Sequence, residues 1–280
     1  MTLADSLPSG SPPAAATLPV RCRMVTGLDL ADVRLMPLQV PRQLRGQSLQ
    51  ARMEMEAVRL SGRPFNELHL DYIQQEVAPA DPQRRDFLLA VTLRQAVARH
   101  CDRWEEQGIR PDRVGIRVLA LEQALAWVLR EDGQPLPDAL GALHADDRAL
   151  YLVILEAGAG RYWQSWPLYG NAPVLAGEGV PAVADTGPAA RVAAVRQALA
   201  QIHRQESLSM PQHWVLLGNR LSDPEIHVQL TDSGVQSPRT LFLGPLLTAG
   251  AVARVQEGQQ VEDFWIAFGL ALQGVQDGRH

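Results

Sequence analysis

Apolar and polar positions along the chain change period several times, and each change marks an element. Cys22–Leu28 and Val33–Val40 read as short strands around Asp29–Asp32, the pattern of a hairpin, and Pro41 ends the second run. Ser48 is placed to N-cap a helix running to Leu60. Leu49, Met53 and Ala57 share one face of it, Arg52 and Glu56 pair at i,i+4, and Ser61-Gly62 stops it. His69, Asp71 and Ile73 then alternate with Leu68, Leu70, Tyr72 and Gln74, a period-two strand with Leu70 and Tyr72 on its apolar side. Ala78–Arg85, rich in Pro and Asp, is a turn, and Phe87–Leu93 is a nearly unbroken apolar strand of a sheet interior. Thr92–Gln107 is an amphipathic helix with Val97, Cys101 (or His100) and Trp104 on one face; Gly108 closes it and Pro111 forbids continuation. Val114–Leu119 is the next strand and Leu121–Leu129 the next helix.

The second half begins with a turn-rich stretch, Glu131–Asp147. Strands Leu150–Glu156 and Tyr162–Tyr169 flank Ala157–Arg161 as a β-hairpin, and Val174–Pro188 is a Gly/Pro loop. Pro188–Gln205 is a helix with Val192, Val195, Leu199 and Ile202 in one stripe. Trp214–Leu217 is a buried strand ending at Gly218-Asn219. Ile226–Leu230 and Thr240–Leu243 read as short strands, and Val261–Gln276 as a buried helix, apolar on most sides. Residues 1–19 hold Pro, Ser, Gly and Ala with few large apolar side chains, the composition of a disordered tail. Trp163 and Trp166 point to opposite faces of one strand, so one is expected in the core; the other, if exposed, is a candidate anchor for a partner.

Composition narrows the chemistry. With 280 residues, 46% hydrophobic and 20% charged, the chain has ample material for a core. A net charge of −5 argues against nucleic acid as the partner. All 26 basic residues are Arg, which removes P-loop, Schiff-base and pyridoxal chemistry, since each uses a lysine amine. Cys22 and Cys101 make no disulfide framework and suit a reducing compartment. The first residues lack the basic and apolar regions of a signal peptide. The longest apolar stretches, Ala149–Leu155 and Phe264–Leu272, fall short of the ~20 residues of a spanning helix. A soluble, cytoplasmic protein is expected. His100-Cys101 points in two directions from a helix and is a poor metal pair, and Ser165, Ser207 and Ser209 lie in no nucleophile pattern.

One set of segments carries a resemblance. In order they are Leu38–Pro41, the helix Leu49–Leu60, Leu70-Asp71-Tyr72, Phe87–Val91, Gln107-Gly108-Ile109-Arg110-Pro111, Val114–Val118 and Ala120–Ala124. Near the C-terminus follow Leu216-Leu217-Gly218-Asn219, with Leu221 and Pro224, and Ala267–Leu272. Together they resemble the PilM/HofM family of type IV pilus assembly proteins, relatives of the cell-division protein FtsA. The resemblance implies an α/β, actin-like fold with an inserted α+β subdomain. Residues 20–130 would be a first-lobe remnant, its inserted part about 38–119, and residues 148–280 the second lobe; the first lobe is expected to be incomplete.

The same resemblance locates a nucleotide site, and the residues depart from it. Actin-like ATPases hold phosphate in one hairpin near the N-terminus and in another that opens the second lobe, with backbone amides exposed by glycine. The first is missing here, because the chain enters the fold at Cys22–Leu28. The second is read at Leu155–Arg161, where Gly158 and Gly160 remain but Arg161 and Trp163 replace small hydroxyl residues; a hairpin tip explains both glycines without a ligand. The adenosine turn keeps Gly218 but has Asn219 for its second glycine. These four residues are the candidate nucleotide-site remnants. The expectation is a pseudo-ATPase with no cofactor, ATP included, and no catalytic or metal site. It would be a scaffold at the cytoplasmic face of the inner membrane that binds the N-terminal tail of a PilN-like protein in pilus assembly or DNA uptake. Two other readings share the pattern: an ATP-binding member whose start has been misplaced, and a cytoplasmic component of a type II secretion platform.

Overall fold

The computed structural model describes residues 24–75, 81–131, 137–146, 149–168, 188–204, 210–233, 235, 238–241 and 265–276. The tail expected at 1–19, the loop over 174–187 and the start of the last helix at 261–264 lie outside them. The described chain divides into two compact units between Ile116 and Arg117.

In the N-terminal unit β1 (Val25–Leu28) is buried throughout and pairs in parallel with β5 (Arg113–Ile116). Between them in sequence lies a three-stranded antiparallel sheet of order β2-β4-β3, built from β2 (Val33–Pro41), β3 (Leu68–Gln74) and β4 (Arg84–Leu93). The hairpin expected from β1 and β2 does not form. The two strands join different sheets, because β2 finds its partner in the apolar β4 along its whole length, from Val33↔Thr92 to Pro41↔Arg84. Helix α1 (Gly46–Ser61) packs on one face of this sheet, with Leu49, Met53 and Ala57 against Val40, Leu68, Phe87, Leu89 and Val91. It starts two residues before the expected Ser48. Ser48 is instead the third helical residue, its hydroxyl accepting from the Arg45 N–H at 3.2 Å. Buried Glu56 is held by both Arg52 and Arg59, each at 2.6 Å, and Gly62 ends the helix in the left-handed region as expected. Along β3, Leu70 and Tyr72 are half-buried while His69, Asp71 and Ile73 are exposed, the alternation the sequence showed. Helix α2 (Arg94–Glu105) buries Ala96 and His100 rather than Cys101, and His100 Nε2 meets Thr26 Oγ1 of β1 at 2.8 Å.

The C-terminal unit opens with α3 (Arg117–Glu131), four residues ahead of the expected Leu121. The expected strand Val114–Leu119 is cut short at Ile116, because the run RVLALEQALAW combines strong helix formers with buried Val118, Leu121, Leu125 and Val128 at helical spacing. A five-stranded sheet follows, of order β10-β9-β6-β7-β8. Its strands are β6 (Ala139–Ala145), β7 (Ala149–Glu156), β8 (Ala159–Pro167), β9 (His213–Leu217) and β10 (Arg239–Leu241). β10, β9 and β6 run parallel; β7 and β8 continue antiparallel. β6 lies inside the stretch read as turn-rich. Its sequence, ALGALHA, has little intrinsic strand preference, and pairing on both sides overrides that. Helix α4 (Pro188–Arg204) buries Val192, Val195, Leu199 and Ile202 as expected, on Leu150, Leu152, Ile154 and Trp166.

Ile226–Leu230, read as a strand, belongs to helix α5 (Pro224–Asp232). Asp223 N-caps it, accepting from the Glu225 N–H, Pro224 sits in its first turn, and Ile226 and Leu230 are its buried i,i+4 pair. On the opposite face of the sheet, α3 packs against α6 (Trp265–Gln276), and Trp127 meets Phe268 edge-on. Helices therefore cover both faces, and Trp163, toward α3, and Trp166, toward α4, are both buried, so neither is an exposed anchor.

Candidate functional site

The hairpin expected at 155–161 exists. β7 and β8 turn through Ala157 and Gly158, both at positive φ (+50° and +82°), the two-residue geometry that glycine favours. Since β6 is a strand, however, this is the second hairpin of the sheet. The one that opens it is β6–β7, turning at Asp146–Ala149. Strand direction then separates the four candidate residues. β6 and β9 are parallel, so the β6–β7 turn lies at the same end of the sheet as Gly218 and Asn219, which follow β9. Gly158 and Gly160 lie at the other end, the length of an 8-residue strand away, about 25 Å. No single nucleotide touches both pairs.

At its own end the β7–β8 hairpin is tied to α3. Gly160 N–H donates to Glu122 Oε1 at 3.0 Å, and the Trp163 indole N–H donates to Glu122 Oε2 at 2.7 Å. A side chain at Gly160 would stand 2.3 Å from the Trp163 ring, so this glycine serves the close approach. Burial pushes the Glu122 carboxyl above the usual carboxylate range, and those two hydrogen bonds pull it partly back. Glu156 and Arg161 pair at 3.1 Å across the hairpin on the surface, a contact of small energetic weight.

The other end is where open α/β sheets take ligands, outside the carboxyl ends of parallel strands. Gly218 (φ +84°) donates its N–H to the Leu241 carbonyl of β10 at 3.1 Å, and Asn219 opens a short 3₁₀ turn, Asn219–Leu221. Beside them the β6–β7 turn is closed by its own acid: Asp146 Oδ1 accepts from the Ala149 N–H at 2.8 Å, while Asp146 N–H donates to the Ala149 carbonyl at 3.1 Å. The second carboxylate oxygen pairs with the guanidinium of Arg117, the first residue of α3. Arg117 is buried, donates from Nε to the Tyr151 hydroxyl at 2.9 Å and lies over the Tyr151 ring. Tyr151 in turn stacks on His144, whose Nδ1 lies 3.1 Å from the Leu217 carbonyl; a carbonyl only accepts, so Nδ1 carries the proton. Among the described residues of this turn, the Ala149 amide is thus engaged by the Asp146 carboxylate.

Sequence reading missed Arg117, Asp146, Tyr151 and His144. The signal was there, a polar HADDR between two apolar runs, but with β6 unread it passed for part of a loop. Among the described residues no group of three or more His, Cys, Asp or Glu is placed to hold a metal ion, and no helix is long and apolar enough to cross a membrane.

Comparison with known proteins agrees with this architecture. The family model described as "Type IV pilus assembly protein PilM" matches residues 17–141. No curated protein matches the chain. Among solved structures, a "PilM-PilN type IV pilus biogenesis complex" is similar over 91% of this chain and 81% of that chain, at 20% identity and a TM-score of 0.62. The cytoplasmic domain of EpsL, an inner-membrane component of the type II secretion system of Vibrio cholerae, is similar over 90% of this chain and 74% of that chain, at 13% identity and a TM-score of 0.41. A Bacteroides thetaiotaomicron protein of actin-like ATPase fold and unknown function is similar over 81% and 70%, at 9% identity and a TM-score of 0.39. The family pattern over residues 17–141 and the fold shared with the PilM-PilN structure over most of the length are similarities of this chain to PilM, and the fold is the actin-like one that its sequence resemblance implied.

Proposed function

We propose that the chain is a non-catalytic scaffold of the pilus assembly or DNA-uptake platform. It holds the short cytoplasmic N-terminal tail of a PilN-like, single-span membrane protein and needs no nucleotide to do so. The observation that carries this reading is the Asp146–Arg117 pair in the β6–β7 turn. At the end of the sheet where a phosphate would approach, it meets an ion-paired carboxylate and a turn amide already in use.

Binding chemistry of another kind is on the N-terminal unit. Of the large apolar side chains that stay exposed among the described residues, Met55, Val58, Phe65 and Ile73 are all there, and only Val228 is in the other unit. Met55, Val58, Phe65 and Ile73 fall within the stretch that matches the family model, and the similar solved structure is a complex with PilN. An extended tail of ~10 residues loses roughly 1–2 kcal/mol of backbone entropy per ordered residue, so its affinity rests on a few apolar anchors. In this reading the protein is peripheral to the inner membrane, attached through that partner.

The test is fluorescence anisotropy of a synthetic N-terminal tail from the neighbouring membrane-protein gene, with and without Mg-ATP. Saturable binding of equal strength in both conditions is expected, and calorimetry is expected to show no saturable heat with ATP alone. Binding that requires ATP, or none up to high micromolar protein, overturns the reading.

A further inference from the structure

We infer that helix α1 is a docking face for a second copy of this chain, which presents its helix α5. Each of these helices carries an apolar side chain on the side turned away from the core. On α1 it is Met55, 64% exposed, with Val58 one turn on; on α5 it is Val228, 53% exposed. Both are bracketed by like charges at one spacing. Arg52 and Arg59 stand three residues before and four after Met55, and Glu225 and Asp232 stand three before and four after Val228. Residues three and four apart are neighbours on a helix surface, so each bracket forms one row beside its apolar residue. The two rows have the same length, about 10.5 Å, and opposite charge.

The cationic row is held in place from below. Buried Glu56 binds Arg52 and Arg59, each at 2.6 Å, which orients both guanidiniums and neutralises only one of their two charges. The anionic row is open: Glu225 and Asp232 are exposed and make no ion pair among the described residues. Going round each helix, the charged row lies on the same side of the apolar residue. Two such helices therefore meet antiparallel with their rows facing, Arg52 to Asp232, Arg59 to Glu225 and Met55 to Val228. Two copies of α1 would set arginine against arginine, and two copies of α5 carboxylate against carboxylate. The charges thus select the heterologous pair over either symmetric one. Exposed ion pairs around a small apolar centre make the contact weak between free copies.

The inference does not depend on the scaffold reading: Ile73 lies on the face of its sheet turned away from α1, and the tail assay needs a single copy. The experiment is analytical ultracentrifugation of the full chain up to near-millimolar concentration, in low and high salt, with two variants. Met55→Glu spoils α1 alone, and Glu225→Arg/Asp232→Arg spoils α5 alone; Arg52 and Arg59 stay because Glu56 needs them. The parent is expected to self-associate, less as salt rises. Each variant by itself is expected to be monomeric and to melt with the parent. An equimolar mixture of the two is expected to form a one-to-one pair that grows no further, because one intact α1 and one intact α5 remain to meet. If either variant melts below the parent, Met55→Gln and Val228→Gln, both at exposed positions, repeat the measurement. A parent that stays monomeric throughout, variants that associate as the parent does, or a mixture that stays monomeric overturns the inference.

Discussion

Two sets of glycines, one in each unit, serve opposite purposes. In the N-terminal unit Gly62 and Gly108 sit at φ +66° and +75°, and the space where a side chain would go is empty. They are there to turn the backbone out of α1 and α2. In the C-terminal unit Gly141, Gly160 and Gly269 need no unusual φ, but a Cβ would stand 2.6 Å from the Trp214 ring, 2.3 Å from the Trp163 ring and 1.8 Å from the Ala120 carbonyl oxygen. They are there so that two elements can touch. The difference follows from the layers. A sheet covered by helices on both faces must fit its large side chains into neighbours, whereas Gly62 and Gly108 follow helices and meet nothing.

The sharpest test is at Gly269, where the clash is with backbone of α3 and has no side chain to swing away. Gly269→Ala is expected to destabilise by about 3 kcal/mol or more, at the upper end of overpacking effects. Gly160→Ala meets the side chains of Trp163 and Glu122, which can yield a little, and is expected to cost about 1–3 kcal/mol. Denaturant melts rank the two. A Gly269→Ala protein as stable as the parent would break the assignment of α3 and α6 as a close-packed pair.

At Gly108 the cost is conformational alone, so Gly108→Val is expected to lose about 1–2 kcal/mol. Gly108→Asn, which tolerates the left-handed region, is expected to recover part of it. Should Gly108→Val prove costlier than Gly269→Ala, the contrast between the units is inverted.

The same contrast explains what could be read from the sequence. Gly62 and Gly108 announce themselves locally, at the end of an apolar period, and the alternation of Leu68–Ile73 is visible because one side of β3 faces water. β6 was invisible for the opposite reason. It is buried on both sides, and its Gly141 makes sense only against Trp214, about seventy residues on. With β6 unread, the hairpin at 155–161 takes the place of the opening one, and strand direction sets Gly158 and Gly160 at one end of the sheet and Gly218 and Asn219 at the other. Helix α5 is a different case. Asp223 and Pro224 are an N-terminal signal in plain sight, outvoted by the β-branched look of Ile226 and Val228.

The smallest expected effect probes a close approach without touching a glycine. Glu122 reaches the space that Gly160 leaves, and burial holds its carboxyl above the usual range. The sign follows from linkage: a raised folded-state pKa means the folded protein binds the proton more tightly, so the contribution is complete below the unfolded pKa and is lost as pH rises through the folded one. The stability of the parent relative to Glu122→Gln, which cannot titrate, is therefore expected to fall as the pH rises through and above the ordinary carboxylate range. The hydrogen bonds from Trp163 and Gly160 favour the ionised form and keep the change modest. In a Gly160→Ala background the carboxylate is displaced toward water and the pH dependence is expected to shrink, which ties the titration to the missing Cβ. Paired urea titrations across that range decide it. A parent that gains stability over Glu122→Gln as pH rises would mean that the two hydrogen bonds outweigh burial at Glu122.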